Sequence, residues 1–101
     1  MLLTIDVGNS NLVAVVFDEH RNRVFDQRIV TQKQNVIAYY EEWLIRLLAQ
    51  LSHLNAIEGV IFSSVVPSIT DDIVSIIIDK TGLDPDIKDD FSKSGLSHVI
   101  A

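Results

Sequence analysis

The chain has 101 residues, 48% of them hydrophobic, and a formal charge of -6. That length allows one small domain with a real but modest core, and an acidic chain whose 8 Lys and Arg residues are scattered lacks the cation clusters that nucleic-acid backbones demand. The absence of cysteine excludes disulfides and thiolate chemistry; with no basic leader before an apolar stretch and no run of membrane-spanning length, the expected setting is soluble and cytoplasmic, with neither membrane nor nucleic acid as partner.

Leu2 to Asp6 predicts a first strand that ends in a carboxylate. The chain then turns through Gly8, Asn9, Ser10 and Asn11 into Leu12 to Phe17, a continuous apolar run suited to a strand buried on both faces. Asp18-Glu-His-Arg-Asn22 is a charged turn into a third strand, Val24 to Val30, whose Asp26, Gln27 and Arg28 suit a sheet edge. Asn35 predicts a side-chain cap for a helix over Val36 to Leu51, in which Ile37, Tyr40, Leu44, Leu47, Leu48 and Leu51 form one apolar face and Trp43 reads as a packing residue beside it.

Val60 to Ser64 predicts a fourth strand. Pro67 and the Ser68-Ile-Thr-Asp71 box open a second helix, with Ser68 satisfying early N–H groups and Asp71 suiting the positive helix end, and Gly82 stops it. Five isoleucines and one valine in residues 69 to 78 require cover on several sides of that helix. Asp84 to Asp90, with Pro85 and four acids in seven residues, is a poor strand, so residues 83 to 101 are expected to form a flexible acidic tail after a domain spanning 1 to 82. The fourth strand would then be an exposed edge, and a homo-oligomer is expected from pairing along it.

The turn after Asp6 has the composition of a phosphate-and-magnesium site. Gly8 permits a positive φ and the close approach of a bulky anion, successive N–H groups in a tight turn make an anion-binding concavity, and Asn9, Ser10 and Asn11 add side-chain donors. Magnesium keeps most of its waters and takes one or two carboxylates, so Asp6 alone is a sufficient metal ligand. No G-x-x-x-x-G-K-[ST] loop is present, and the same residues also fit an ordinary hairpin turn. Ser63 and Ser64, at the carboxyl end of a strand, either line a ligand cleft or satisfy backbone groups there. Arg28 reads as a solvated charge, His20, His53 and His98 lack metal-ligand spacing, Asp84 to Asp90 lacks the glycine of a calcium loop, and Ser92 to Ser97 reads as a flexible terminus.

Four pieces in order resemble the start of type III pantothenate kinases, within the actin/hexokinase/sugar-kinase superfamily. Leu3-Thr-Ile-Asp-Val-Gly-Asn-Ser10 resembles the opening phosphate motif and Arg28-Ile-Val-Thr31 the third strand. Tyr39, Tyr40 and Glu41 fall in the first helix, and Gly59-Val-Ile-Phe-Ser-Ser-Val-Val-Pro67 resembles the strand-to-helix junction. The likeness runs from residue 1 to about 82. It implies an α/β fold, the ribonuclease H-like (actin-like ATPase) half domain, with a mixed sheet of order 3-2-1-4 and helices, lacking the fifth strand and second domain.

In such a family, Asp6, Val7, Gly8, Asn9, Ser10, Asn11, Leu12 and Val13 would hold ATP phosphate and Mg2+, with Asp6 on the metal. The implied reaction moves the ATP γ-phosphoryl group to the pantothenate hydroxyl in coenzyme A biosynthesis. The family's catalytic aspartate, its second phosphate motif, its monovalent cation (K+ or NH4+) site and most of its pantothenate pocket match nothing in this sequence. The chain alone is therefore expected to be inactive as an enzyme. The alternative is a noncatalytic regulatory or scaffold protein on the same half domain, since family members have also been described as transcription accessory factors.

Overall fold

Short polar turns between apolar runs force those runs to pair back on themselves. In the computed structural model, which describes residues 1–52 and 56–88, β1 (Leu2–Val7), β2 (Asn11–Phe17) and β3 (Arg23–Val30) form an antiparallel meander. The chain then crosses through α1 (Val36–Leu51) to β4 (Gly59–Ser64), which lies parallel to β1, and through α2 (Pro67–Thr81) to β5 (Asp86–Lys88), parallel to β4. The sheet order is β3-β2-β1-β4-β5.

The two-residue period of a strand sorts its side chains between two faces. Leu3, Ile5 and Val7 of β1 align with Val16, Ala14 and Leu12 of β2, and Leu3 and Ile5 with Val60 and Phe62 of β4. These residues form one core cluster with Tyr40, Trp43, Leu44, Leu47 and Leu51 of α1 and Ile69, Ile73, Ile76 and Ile77 of α2. Both helices thus cover the same face, and each large apolar side chain fully buried there contributes about 1.5–3 kcal/mol. Trp43 also donates its indole N–H to Gln27 Oε1 of β3 at 3.1 Å. Lys80 of α2 reaches Glu41 of α1 at 3.8 Å. The opposite face presents Thr4, Asp6, Val13, Val15, Ile61 and Ser63, and Val15 is buried there without joining the core cluster.

Several local expectations change. Asn35 precedes α1, but it sits in the left-handed region (φ 52°) with no side-chain capping bond, so its carbonyl, not its amide, receives the Tyr39 N–H. At α2, Val66 is the cap residue and Pro67 opens the helix, again with no side-chain capping bond. This puts Ser68 inside the helix and Asp71 beyond its first turn. Gly82 ends α2 at φ 72° as expected. Ile37 is 48% exposed because the buried stripe of α1 starts at Tyr40 and takes in Trp43 instead.

The largest change is at the sheet edge. Asp86, Ile87 and Lys88 pair with Ile61, Phe62 and Ser63, so the fifth strand expected to be missing is present, and β4 is not an open edge. A parallel ladder needs only backbone groups, which three residues supply despite their charge. The argument for a homo-oligomer through β4 falls with that edge. The sheet then ends at β5 on one side and β3 on the other; β5 is only three residues long and carries Asp86 and Lys88, and β3 exposes Asp26 and Arg28, charges that discourage strand addition. His53, Asp89, Asp90, Ser92 to Ser97 and His98 lie outside the described residues. No helix among the described residues is long and apolar enough to cross a membrane.

Candidate functional site

The β1–β2 turn is tight because the ladder runs unbroken to Val7 and Leu12, leaving four residues to reverse the chain. The Gly8 N–H donates to the Asn11 carbonyl at 2.8 Å. Gly8 does not adopt a positive φ; glycine is favoured for another reason, since a Cβ would lie 3.2 Å from the Asn11 carbonyl oxygen. From outside the hairpin, Thr31 donates its hydroxyl to the Gly8 carbonyl at 2.8 Å and its N–H to the Ser10 carbonyl at 2.9 Å. Asn9 and Ser10 form the exposed tip.

Asp6 is the last residue of β1 on the face away from the helices. The register sets Val13 beside it on β2 and Ser63 on β4, followed outward by Arg28 on β3 and Lys88 on β5. Asp6 thus lies mid-row, with one cation two strands away on each side, roughly 10 Å at ordinary strand spacing and too far for an ion pair. Asp6 is solvent-exposed as a residue, yet partial desolvation by the sheet raises its carboxyl above the ordinary range, and that is the one cause of the shift. A carboxylate in this condition is stabilised by a proton or by a neighbouring positive charge. No group of three His, Cys, Asp or Glu side chains converges on a metal position among the described residues.

The two serines separate. Ser63 is 2% exposed and in register with Asp6. The Ser64 hydroxyl accepts the Val66 N–H at 3.0 Å, and so serves the passage from β4 into α2. Val7 and Leu12 are wholly buried core residues, whereas Val13 shares the face of Asp6. Two residues were passed over as site candidates. Thr31 carried no signal beyond its place in the third-strand match, and Lys88 sat in a stretch whose composition argued against any strand.

The match to known proteins is broad. The family model for type III pantothenate kinase covers residues 2–97, well past the expected limit near Gly82. A type III pantothenate kinase from Moorella thermoacetica is 34% identical over 90 residues, covering 84% of this chain and 34% of that protein. One from Geobacter sulfurreducens is 37% identical over 98 residues, covering 95% of this chain and 38% of the relative. The chain thus spans about a third of the length of these relatives. Among solved structures, Thermus thermophilus RuvC superposes with a TM-score of 0.54 at 13% identity, covering 81% of this chain and 57% of RuvC. A putative 2-dehydro-3-deoxygalactonokinase from Sinorhizobium meliloti gives 0.50 at 15% identity, covering 64% of this chain and 21% of that one. Both likenesses speak for the fold, the ribonuclease H-like half domain with sheet order 3-2-1-4-5. With the family model spanning nearly the whole chain, this protein belongs to the type III pantothenate kinase family and corresponds to its N-terminal part.

Proposed function

We propose that the chain forms the first phosphate and magnesium site of an ATP-dependent pantothenate kinase and binds Mg-ATP through the Asp6 to Val13 segment. The observation that carries this reading is the pairing of a partly desolvated carboxylate, Asp6, with a four-residue turn whose tip is exposed and whose base is fixed by hydrogen bonds. Phosphoryl transfer depends mainly on positioning and on neutralising the charge of the phosphates. Bound Mg2+ would supply that neutralisation. In this reading Asp6 holds the cation, the tip peptides and the side chains of Asn9, Ser10 and Asn11 orient phosphate oxygens, and Ser63 lines the wall beside Asp6. Gly8 spends its own N–H on the Asn11 carbonyl, so its part is to keep the turn narrow.

Aiming a base at the pantothenate hydroxyl falls to residues this chain does not carry, so the phosphoryl transfer of coenzyme A biosynthesis needs the remainder of a complete kinase, and the chain alone binds without turning over. The same remainder would supply the monovalent cation site. A cytoplasmic setting fits these substrates. Titration of Mg-ATP into the 15N-labelled chain tests the reading, with Asp6→Ala as control. Saturable shifts at residues 6 to 13 that vanish in the mutant are expected; no binding at millimolar nucleotide would overturn it.

A further inference from the structure

Two of the three hydrogen bonds that define the β1–β2 turn come from one residue far away in sequence. Thr31 takes the Gly8 carbonyl through its hydroxyl and the Ser10 carbonyl through its N–H, at 2.8 and 2.9 Å. The ladder between β2 and β3 ends with Asn11 opposite Val30, which delivers Thr31 to the turn by register alone. Its neighbours are tied down as well. The Val30 carbonyl receives the Tyr39 hydroxyl at 2.7 Å, and Tyr40 binds Gln32 twice, accepting its N–H at 2.9 Å and donating to its carbonyl at 3.1 Å. Tyr40 is wholly buried, and its ring meets that of Tyr39 edge to face at 4.9 Å. Residues 30 to 32 therefore form a strap between the first turns of α1 and the β1–β2 turn.

A planar trans peptide points its N–H opposite to its C=O, and the described chain has no cis peptide. Holding the Gly8 and Ser10 carbonyls toward Thr31 turns the next two N–H groups, those of Asn9 and Asn11, away from it. We propose that Thr31 is the positioning residue of the phosphate turn, fixing through its paired bonds to Gly8 and Ser10 the direction of the Asn9 and Asn11 N–H donors. This rests on the reading of the turn as a phosphate site. A side chain from the end of β3 thereby sets the geometry of a loop it need not share with the ligand. Donors aimed in advance lose less freedom on binding.

The test compares Thr31→Val, which keeps the shape and the main-chain bond but loses the hydroxyl donor, with Thr31→Ser, which restores the donor. In ligand-free protein, Thr31→Val is expected to move the amide resonances of Asn9 and Asn11 and to speed exchange of the Gly8 amide proton, while Thr31→Ser leaves them near wild type. Mg-ATP affinity is expected to fall about three- to tenfold in Thr31→Val, the size of one hydrogen bond, and to recover in Thr31→Ser. Thr31→Ala provides the same comparison if the valine does not fold. Wild-type amide shifts or wild-type affinity in the hydroxyl-less variants would overturn the proposal. Loss of affinity that serine fails to rescue would overturn it too. If wild-type protein binds no Mg-ATP, the phosphate reading falls, and the ligand-free shifts still decide whether Thr31 holds the turn.

Discussion

The two hairpin turns of the meander use an aspartate in opposite ways. In the β2–β3 turn, Asp18 Oδ1 accepts the backbone N–H groups of His20 and Asn22, both at 2.8 Å, while Arg21 takes a positive φ of 65°. Those bonds, the one from Asn22 foremost, hold the Asp18 carboxyl below its ordinary range. In the β1–β2 turn the aspartate lies just before the reversal, burial raises its pKa, and the turn is tied by Thr31 instead. A carboxylate consumed by its own turn stabilises the fold. One excluded from that task and partly desolvated is available to a cation.

The largest effects should separate the two aspartates. Asp6→Ala is expected to abolish Mg-ATP binding while changing unfolding stability by no more than about 0.5 kcal/mol, as for a surface substitution without a structural partner. Asp18→Ala should lower the melting temperature and leave Mg-ATP affinity unchanged. Calorimetric titration and thermal unfolding on both variants decide this, and a loss of binding in Asp18→Ala would break the contrast.

Next in size is Gly8→Ala. The new Cβ would press on the Asn11 carbonyl oxygen at 3.2 Å without any φ penalty, so a destabilisation of about 1 kcal/mol is expected, together with weaker nucleotide binding, measured by urea unfolding and titration. A neutral result would show that the turn has slack.

The pH dependence should differ in sign. With its folded-state pKa raised, Asp6 favours the folded state when protonated, and this stabilisation is lost as pH rises through the raised value. Magnesium requires the ionised form, so Mg-ATP affinity should fall as pH drops through that same value, above the usual carboxylate range. Asp18 is the reverse: its stabilisation is present above the unfolded pKa and lost as pH falls through the lowered one. Affinity and melting temperature followed against pH in wild type and the two single mutants would assign each component. Asn22→Ala, which removes only a 3.4 Å contact between its side-chain amide and Asp18, should give the smallest change, a drop in melting temperature below that of Asp18→Ala.

Most of the fold could be read from the chain because periodicity and punctuation agreed. The apolar runs of β1, β2 and β4, Pro67 at the start of α2 and Gly82 at its end each state a local preference that the packing satisfies. The reversal after Asp6 was equally legible as a tight turn between two strands. Composition misled at Asp86 to Lys88, since a strand that adds to a parallel edge can be short and charged. Capping misled at Asn35 and Ser68, where backbone geometry and Pro67 settled the helix starts without a side-chain bond.

What the sequence determined by itself was local: which segments extend, which coil, where glycine must stand, and which carboxylate precedes a turn of small polar residues. What only the tertiary structure decided was relational. That Thr31 reaches Gly8 and Ser10, that Ser63 and Lys88 fall in the row of Asp6, and that Asp6 is partly desolvated all follow from strand order and register. Those contacts join residues more than 20 positions apart, whose proximity is fixed by the collective burial of the sheet's helix-covered face and by no short-range preference of their own.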